Sequence, residues 1–127
     1  MDATQSLGEL MELSSQITTA IVLDAGGTVL ASSSDDAADV LATSTRDLLA
    51  AAADLGAEGR EVTRVEVELD EGAIFVVREG EHTVAATTGP SPTSGLVVYD
   101  LRTCAQAIAP AEPKKRRARK PKEEPPA

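Results

Sequence analysis

A helix followed at once by a β-hairpin, over residues 7–32, constrains the fold more than any other part of this sequence. Apolar residues at helical spacing lead into residues 17–23, a short, largely apolar run that is typical of a buried strand. Residues 24–27, Asp-Ala-Gly-Gly, favour a tight turn, and residues 28–32 return as a second strand. Hairpin-linked strands pair antiparallel, so this segment predicts an antiparallel sheet that helices must cover.

The rest of the chain predicts one long helix, three strands and a last helix. Residues 36–55 carry leucines at intervals of seven residues, as a helix-packing seam requires. Val65 and Val67 alternate with charged residues, which indicates a half-exposed strand, and two further apolar runs follow across acidic and glycine turns. Residues 94–109 again show helical spacing. The predicted order is α-β-β-α-β-β-β-α, an α+β fold with a five-stranded antiparallel sheet flanked by three helices.

Charge divides the chain into two parts. The net charge is −9, yet residues 110–127 hold seven of the twelve Lys and Arg residues against three glutamates, which gives this segment +4. The preceding residues, with five basic and eighteen acidic side chains, carry −13. Pro, Lys, Arg and Glu dominate residues 110–127 and offer nothing to a core. We therefore predict one domain over residues 1–109 and a disordered basic tail over residues 110–127.

The basic side chains of the tail form a candidate polyanion-binding segment. They are Lys114, Lys115, Arg116, Arg117, Arg119, Lys120 and Lys122. No aromatic residue interleaves them, so base stacking and sequence-specific recognition of nucleic acid are not expected. Two interpretations stay open: the tail makes weak contact with nucleic acid or an anionic surface, or it solubilises the chain and folds back on the acidic domain.

Nothing in the sequence resembles a catalytic or metal-binding constellation. Gly26 and Gly27 lack the Lys-Ser/Thr of a phosphate-binding loop and precede a strand, which favours a hairpin turn. His82, the only histidine, has no partner at metal-ligand spacing and is predicted to be a surface strand residue. Cys104 falls on the apolar stripe of the last helix and is predicted to lie in the core. We expect no enzymatic activity, metal or cofactor.

The cellular environment is suggested by what the sequence lacks. A single cysteine allows no intrachain disulfide, which fits a reducing compartment. The first residues do not resemble a signal peptide, and no apolar run approaches the roughly 20 residues of a transmembrane helix. We expect a soluble, cytoplasmic protein.

The order of elements, together with the segment Ile-Val-Leu-Asp-Ala-Gly-Gly-Thr-Val-Leu-Ala-Ser at residues 21–32, resembles the roadblock (dynein light chain) family of the roadblock/longin superfamily. The likeness covers about residues 5–109 and includes the Gly89-to-Gly95 loop before the last helix. It implies a roadblock/profilin-like fold. The chain departs from a generic member in its basic tail and in having only two aromatic residues, Phe75 and Tyr99.

The resemblance also implies a function. In this family the second helix and the strand after it commonly form a self-interface, and bacterial members are linked to Ras-like small GTPases that they regulate without a nucleotide site of their own. Carried over to this chain, the dimer or partner interface lies near residues 40–55 and 62–69. We expect it to include Leu41, Leu48, Ala51, Ala52, Leu55, Val65 and Val67.

The resulting hypothesis is a non-catalytic homodimer of the bacterial, cytoplasmic type that binds a Ras-like GTPase or serves as a scaffold in such a system. A polyanion-associated protein acting through the basic tail is the alternative. A small-molecule sensor with a related sheet is a third hypothesis, which the shortage of aromatic residues to line a pocket disfavours.

Overall fold

A computed structural model describes residues 1–55 and 61–108 and has the expected order of elements. They are α1 (Ala3–Leu13), β1 (Ile17–Leu23), β2 (Val29–Ser32), α2 (Asp35–Leu55), β3 (Arg64–Leu69), β4 (Gly72–Glu79), β5 (His82–Thr88) and α3 (Ser94–Ala107). The predicted tail over residues 110–127 lies outside the described residues. None of the helices in the described part combines the length and the apolar character that a membrane crossing needs.

The five strands form one antiparallel sheet in the order β2-β1-β5-β4-β3. The first hairpin pairs β1 with β2, and the last two strands insert between β1 and β3. As a result, β2 and β3 are the two edges. The α+β fold with a five-stranded antiparallel sheet and three helices is therefore confirmed.

The helices divide unequally between the two faces of the sheet. Buried residues of α1 and α3 pack with one set of strand residues, including Val22, Phe75 and Val84, on what we call the closed face. Buried residues of α2 pack with the alternate strand residues, including Ile21 and Val76, on what we call the open face. This split follows from the period of two along each strand, which sends neighbouring side chains to opposite faces.

Local sequence explains how the helix at the start of the chain begins. The Asp2 carboxylate accepts a hydrogen bond from the backbone N–H of Gln5 at 2.8 Å, and the Gln5 side-chain oxygen accepts one from the Asp2 N–H at 3.1 Å. This reciprocal capping box satisfies two N–H groups that have no partner within the helix.

A buried hydrogen bond joins the two helices of the closed face. The Ser6 hydroxyl of α1 donates to the Cys104 carbonyl oxygen of α3 at 2.7 Å, and its oxygen lies 3.4 Å from the Cys104 sulfur. Cys104 is in the last turn of α3, where backbone carbonyls lack a partner within the helix. The Ser6 hydroxyl therefore supplies a hydrogen bond to a carbonyl group at the end of α3 and holds α1 against this helix. Cys104 itself is buried, as the sequence predicted.

One prediction about a single residue is wrong. His82 is 6% exposed rather than a surface residue, because it begins β5 beside the end of α3. Its side chain lines a depression together with Ala105 and Ile108. The end of α3 shields this position, and the local strand pattern contains no information about that distant helix.

Candidate interaction surface

The glycine turn between β1 and β2 is a structural turn in this molecule. The Asp24 carboxylate accepts hydrogen bonds from the backbone N–H groups of Gly26 and Thr28, both at 2.9 Å. Gly27 has a φ of 87°, which favours glycine. A strand follows the turn, so the hairpin interpretation of Gly26 and Gly27 is confirmed.

A depression of about 400 Å³ lies beside this turn. Arg46 and Arg78 contribute positive charge to its lining, while Asp24, Glu61 and Glu81 contribute negative charge. The Arg46 guanidinium donates to the Gly27 carbonyl oxygen at 2.7 Å and so attaches α2 to the turn. This mixed charge does not favour a ligand of either sign. The described residues also contain no group of three or more His, Cys, Asp or Glu side chains placed to hold a metal ion.

The predicted interface residues do not all lie at the surface. Leu41 is 5% exposed and belongs to the core, whereas Leu48 and Val65 are half-buried and pack against that same core. Leu55 is 89% exposed at the end of α2. Ala51 is exposed, and Ala52 and Val67 are half-buried. The predicted set therefore mixes residues that support α2 with residues that a second molecule can reach. The basic residues of the tail lie outside the described residues.

The predicted set omits two large, exposed apolar residues of α2 and β3. Val40 is exposed on α2, and Leu69 is exposed at the end of β3. Leu69 continues the alternation of Val65 and Val67 on the open face, and this signal was available in the sequence. We refer to the following exposed and half-buried apolar residues of the two elements as the α2/β3 surface: Val40, Leu48, Ala51, Ala52, Leu55, Val65, Val67 and Leu69.

The β3 strand adds an open hydrogen-bonding edge to this surface. Among residues 1–55 and 61–108 it pairs only with β4, over its whole length from Arg64 opposite Val77 to Leu69 opposite Gly72. The backbone N–H and C=O groups on its other side therefore have no strand partner in the described part of the chain. Arg64 and Glu66 project from the same side of β3 and form an ion pair with an Nε–Oε2 distance of 3.2 Å. The arrangement is suited to binding another protein through backbone pairing and apolar contact.

Comparisons with known proteins identify the family to which this fold belongs. Residues 4–88 match the Roadblock/LC7 domain, and the chain belongs to this family. The Roadblock/LC7 domain from Streptomyces avermitilis superposes with a TM-score of 0.72 at 22% sequence identity, covering 84% of this chain and 94% of that one. No curated protein shows significant sequence similarity to the chain.

Two other solved structures extend the likeness of the fold. An MglB protein in a tetrameric arrangement superposes with a TM-score of 0.61 at 20% identity, covering 84% of each chain. Profilin II from Acanthamoeba castellanii superposes with a TM-score of 0.52 at 13% identity, covering 83% of this chain and 94% of that one. The expected roadblock/profilin-like fold is thus confirmed.

Proposed function

We propose that this protein is a non-catalytic regulatory or scaffold module that forms a homodimer through the α2/β3 surface and binds a Ras-like GTPase or another component of such a system. The observation that carries the proposal is the position of an open sheet edge, β3, beside the apolar α2/β3 surface. Family membership supports this interpretation. Bacterial roadblock proteins, which this chain resembles, are linked to Ras-like GTPases.

Pairing of two β3 strands would extend the sheet across both subunits. We place the two-fold axis at Val65, because antiparallel pairing about that residue sets Arg64 of each subunit opposite Glu66 of the partner subunit. Directly opposite charges stabilise a strand pair, whereas like charges destabilise it. Val65 then lies opposite its own copy, so its half-buried side chain becomes fully covered.

The α2 helix supplies the second half of the interface. Ala50, Ala51 and Ala53 are exposed along its outer side, and small side chains allow another helix to approach closely. Leu55 is too exposed to contribute to the core of its own chain. Burying it against a second subunit would contribute about 1.5 to 3 kcal/mol of apolar stabilisation per side chain.

Charge exchange on β3 tests the dimer directly. Arg64→Glu and Glu66→Arg each place like charges opposite one another, and each should weaken the homodimer by at least about tenfold in Kd. The double variant restores opposite charges and should recover the wild-type affinity. Mixing the two single variants should give a heterodimer that is tighter than either homodimer.

Light scattering coupled to size exclusion, across a dilution series, measures these affinities. A wild-type chain that stays monomeric at tens of micromolar (about the range of weak dimers) would contradict the dimer. Unchanged dimerisation in both single variants would contradict the β3 pairing while leaving an α2 interface to be tested.

A matched pair of leucine substitutions tests the α2 half. Leu55→Asp places an unpaired charge in the proposed interface and should weaken dimerisation by at least about tenfold. Leu96→Asp makes the same chemical change on an exposed residue of α3, on the other side of the sheet, and should leave dimerisation unchanged. Equal effects of the two substitutions would contradict the assignment of α2.

The proposed GTPase partner needs a separate experiment. A Ras-like GTPase encoded in the same genome, loaded with GDP or with a non-hydrolysable GTP analogue, is titrated into the dimer by calorimetry. We expect binding that depends on the bound nucleotide, because a regulator must distinguish the two states. Absence of heat and of complex with either form at about 100 μM would contradict this partner.

A further inference from the structure

The outer side of the closed-face helices carries an apolar patch that none of the proposed dimer contacts covers. Leu13 of α1 is 77% exposed, and Tyr99 and Leu96 of α3 are 68% and 52% exposed. Leu96 and Tyr99 are three residues apart and share one side of α3. Leu13, Glu9 and Asp100 line one shallow groove between α1 and α3. We call this region the tyrosine surface.

The tyrosine surface is acidic as well as apolar. Glu9 and Asp100 lie in its groove, and Glu12 lies one helical turn from Glu9. The one arginine of α3, Arg102, forms an ion pair with Glu79 of β4 at 3.4 Å. Its charge is therefore already engaged away from the groove. A ligand suited to this surface combines positive charge with alkyl or guanidinium groups that can pack on Tyr99.

The chain carries such a segment immediately after α3. Residues 114–122 contain seven basic side chains, and every lysine of the protein lies among them. Ala107, at the end of α3, lines the same groove as Glu9 and Asp100. The chain therefore leaves the described structure beside the acidic groups.

The length of chain between α3 and the basic segment is sufficient for this segment to contact the tyrosine surface. Lys114 follows Ile108 by six residues, which span up to about 20 Å when extended. Tyr99 precedes Ile108 by nine residues, or about 14 Å along a helix. The basic segment thus reaches the whole tyrosine surface, whereas the acidic residues of α2 lie on the opposite face of the sheet.

We propose that the basic segment 114–122 of this chain binds the tyrosine surface of the same chain and covers its apolar patch. Individual exposed ion pairs are weak, but a tethered segment has a high effective concentration and several charges act together. The contact is salt-sensitive, because the Debye length falls from about 10 Å at 0.1 M salt to about 3 Å at 1 M. The inference does not rest on the proposed dimer or GTPase.

The distribution of lysines makes a direct test possible. A zero-length carbodiimide reagent joins amines to carboxylates, and apart from the N-terminal amine every reactive amine of this protein is in the basic segment. Cross-linking of the full chain in low salt should join these lysines to Glu9, Glu12 or Asp100. These links should disappear at about 1 M salt.

Isotope labelling shows which chain each lysine contacts. In an equal mixture of ¹⁴N- and ¹⁵N-labelled protein, same-chain links give only unmixed masses. Mixed masses, links mainly to Asp39, Asp47 or Asp54 of α2, or links confined to the glutamates of residues 110–127 would each overturn the proposal.

Tyrosine fluorescence gives an independent readout, because Tyr99 is the only tyrosine and tryptophan is absent. Acrylamide quenching of the wild-type chain should rise roughly twofold between low and high salt as the covering segment dissociates. Glu9→Gln combined with Asp100→Asn should remove this difference. The matched control, Asp47→Asn with Asp54→Asn on α2, should keep it.

Three results of this experiment would contradict the proposal. Quenching that is independent of salt in the wild-type chain would show that Tyr99 is not covered. A salt effect that survives in the Glu9 and Asp100 variant but disappears in the α2 control would move the contact to the other face. Protection of Tyr99 from acrylamide that appears only after a short duplex DNA is added would favour a polyanion as the ligand of the segment. This result would also overturn same-chain binding.

Discussion

The two faces of the sheet differ in how completely helices cover them. Two helices cover the closed face, and its cluster of buried residues extends from Leu7 of α1 through Phe75 to Leu101 of α3. One helix covers the open face, where the buried cluster is smaller and residues such as Leu48 and Ile74 remain half-buried around it. The closed face supplies most of the apolar stabilisation of the single chain. The open face is the side on which a further protein surface gains most by binding.

The largest expected effect is the loss of unfolding free energy when a leucine is shortened to alanine, which should differ between the two faces. Leu101→Ala should cost about 3 to 4 kcal/mol, because the side chain is fully buried on the closed face and its removal leaves a cavity. Leu48→Ala, the same change at a half-buried position of the open face, should cost about 1 to 2 kcal/mol in the monomer. Urea unfolding at low protein concentration measures both. Equal losses of unfolding free energy in the two variants would contradict the conclusion that the closed face supplies most of the apolar stabilisation.

Substitution of Gly72 tests whether the start of β4 can accommodate a larger residue beside β5. A Cβ atom at this position would overlap the backbone carbonyl oxygen of Thr88, a neighbour that is held in the sheet. Gly72→Ala should therefore destabilise the chain by about 2 to 3 kcal/mol, the range of overpacking in well-packed sites. The control is Gly8→Ala in α1, where nothing lies within 4 Å of the added carbon. It should stabilise the chain by about 0.5 to 1 kcal/mol. A neutral Gly72→Ala would show that β4 and β5 can separate locally.

The hydrogen bond between α1 and α3 makes a smaller contribution to the closed face. Ser6→Ala leaves the Cys104 carbonyl oxygen buried without this partner and should cost about 1 to 2 kcal/mol in chemical denaturation. Thr103→Ala removes an exposed hydroxyl that bonds to Tyr99 within the same helix and should cost less than about 0.5 kcal/mol. If the two variants had equal stability, the helices would not depend on this bond.

The smallest effect appears at high pH. Burial raises the pKa of the Cys104 thiol above its ordinary value of 9.0, and the Ser6 hydrogen bond partly opposes this rise. The native chain thus retains the thiol proton to higher pH than the unfolded chain does. The associated stability is fully present below the unfolded pKa and is lost as pH rises through the raised native pKa. Cys104→Ala should remove this part of the pH dependence, measured by urea unfolding between about pH 8 and 10. An identical decline in both proteins would contradict it.

Much of the fold could be predicted because local patterns determine it. The alternation at Val65 and Val67, the helical spacing through Leu101 and the glycine turn at Gly27 each depend on neighbours in sequence. His82 could not be placed in this way, because the residues beside it, Ala105 and Ile108, are 23 and 26 positions away, at the end of α3 and just after it. The bond between Arg46 and the Gly27 carbonyl is likewise formed across nineteen positions and leaves no local pattern.

The candidate interface was predicted less completely than the fold. Leu41 and Leu55 occupy the same seven-residue stripe, yet one is in the core and the other is almost fully exposed. A helix of 21 residues is about 31 Å long, whereas five strands about 4.8 Å apart span only about 19 Å. The end of α2 therefore extends past the part of the sheet that can cover it. Helical periodicity identifies the apolar stripe of α2, but it does not show at which residue the sheet stops covering that stripe.

The most direct test of the central claim, that the open face and the β3 edge bind a second copy of this chain, is hydrogen–deuterium exchange at two protein concentrations. Exchange is compared for peptides that contain β3 and for peptides that contain β2, the other edge of the sheet. The account predicts that protection of β3 increases with concentration while β2 does not change. Increased protection at β2 with no change at β3, or no concentration dependence at either edge, would contradict it.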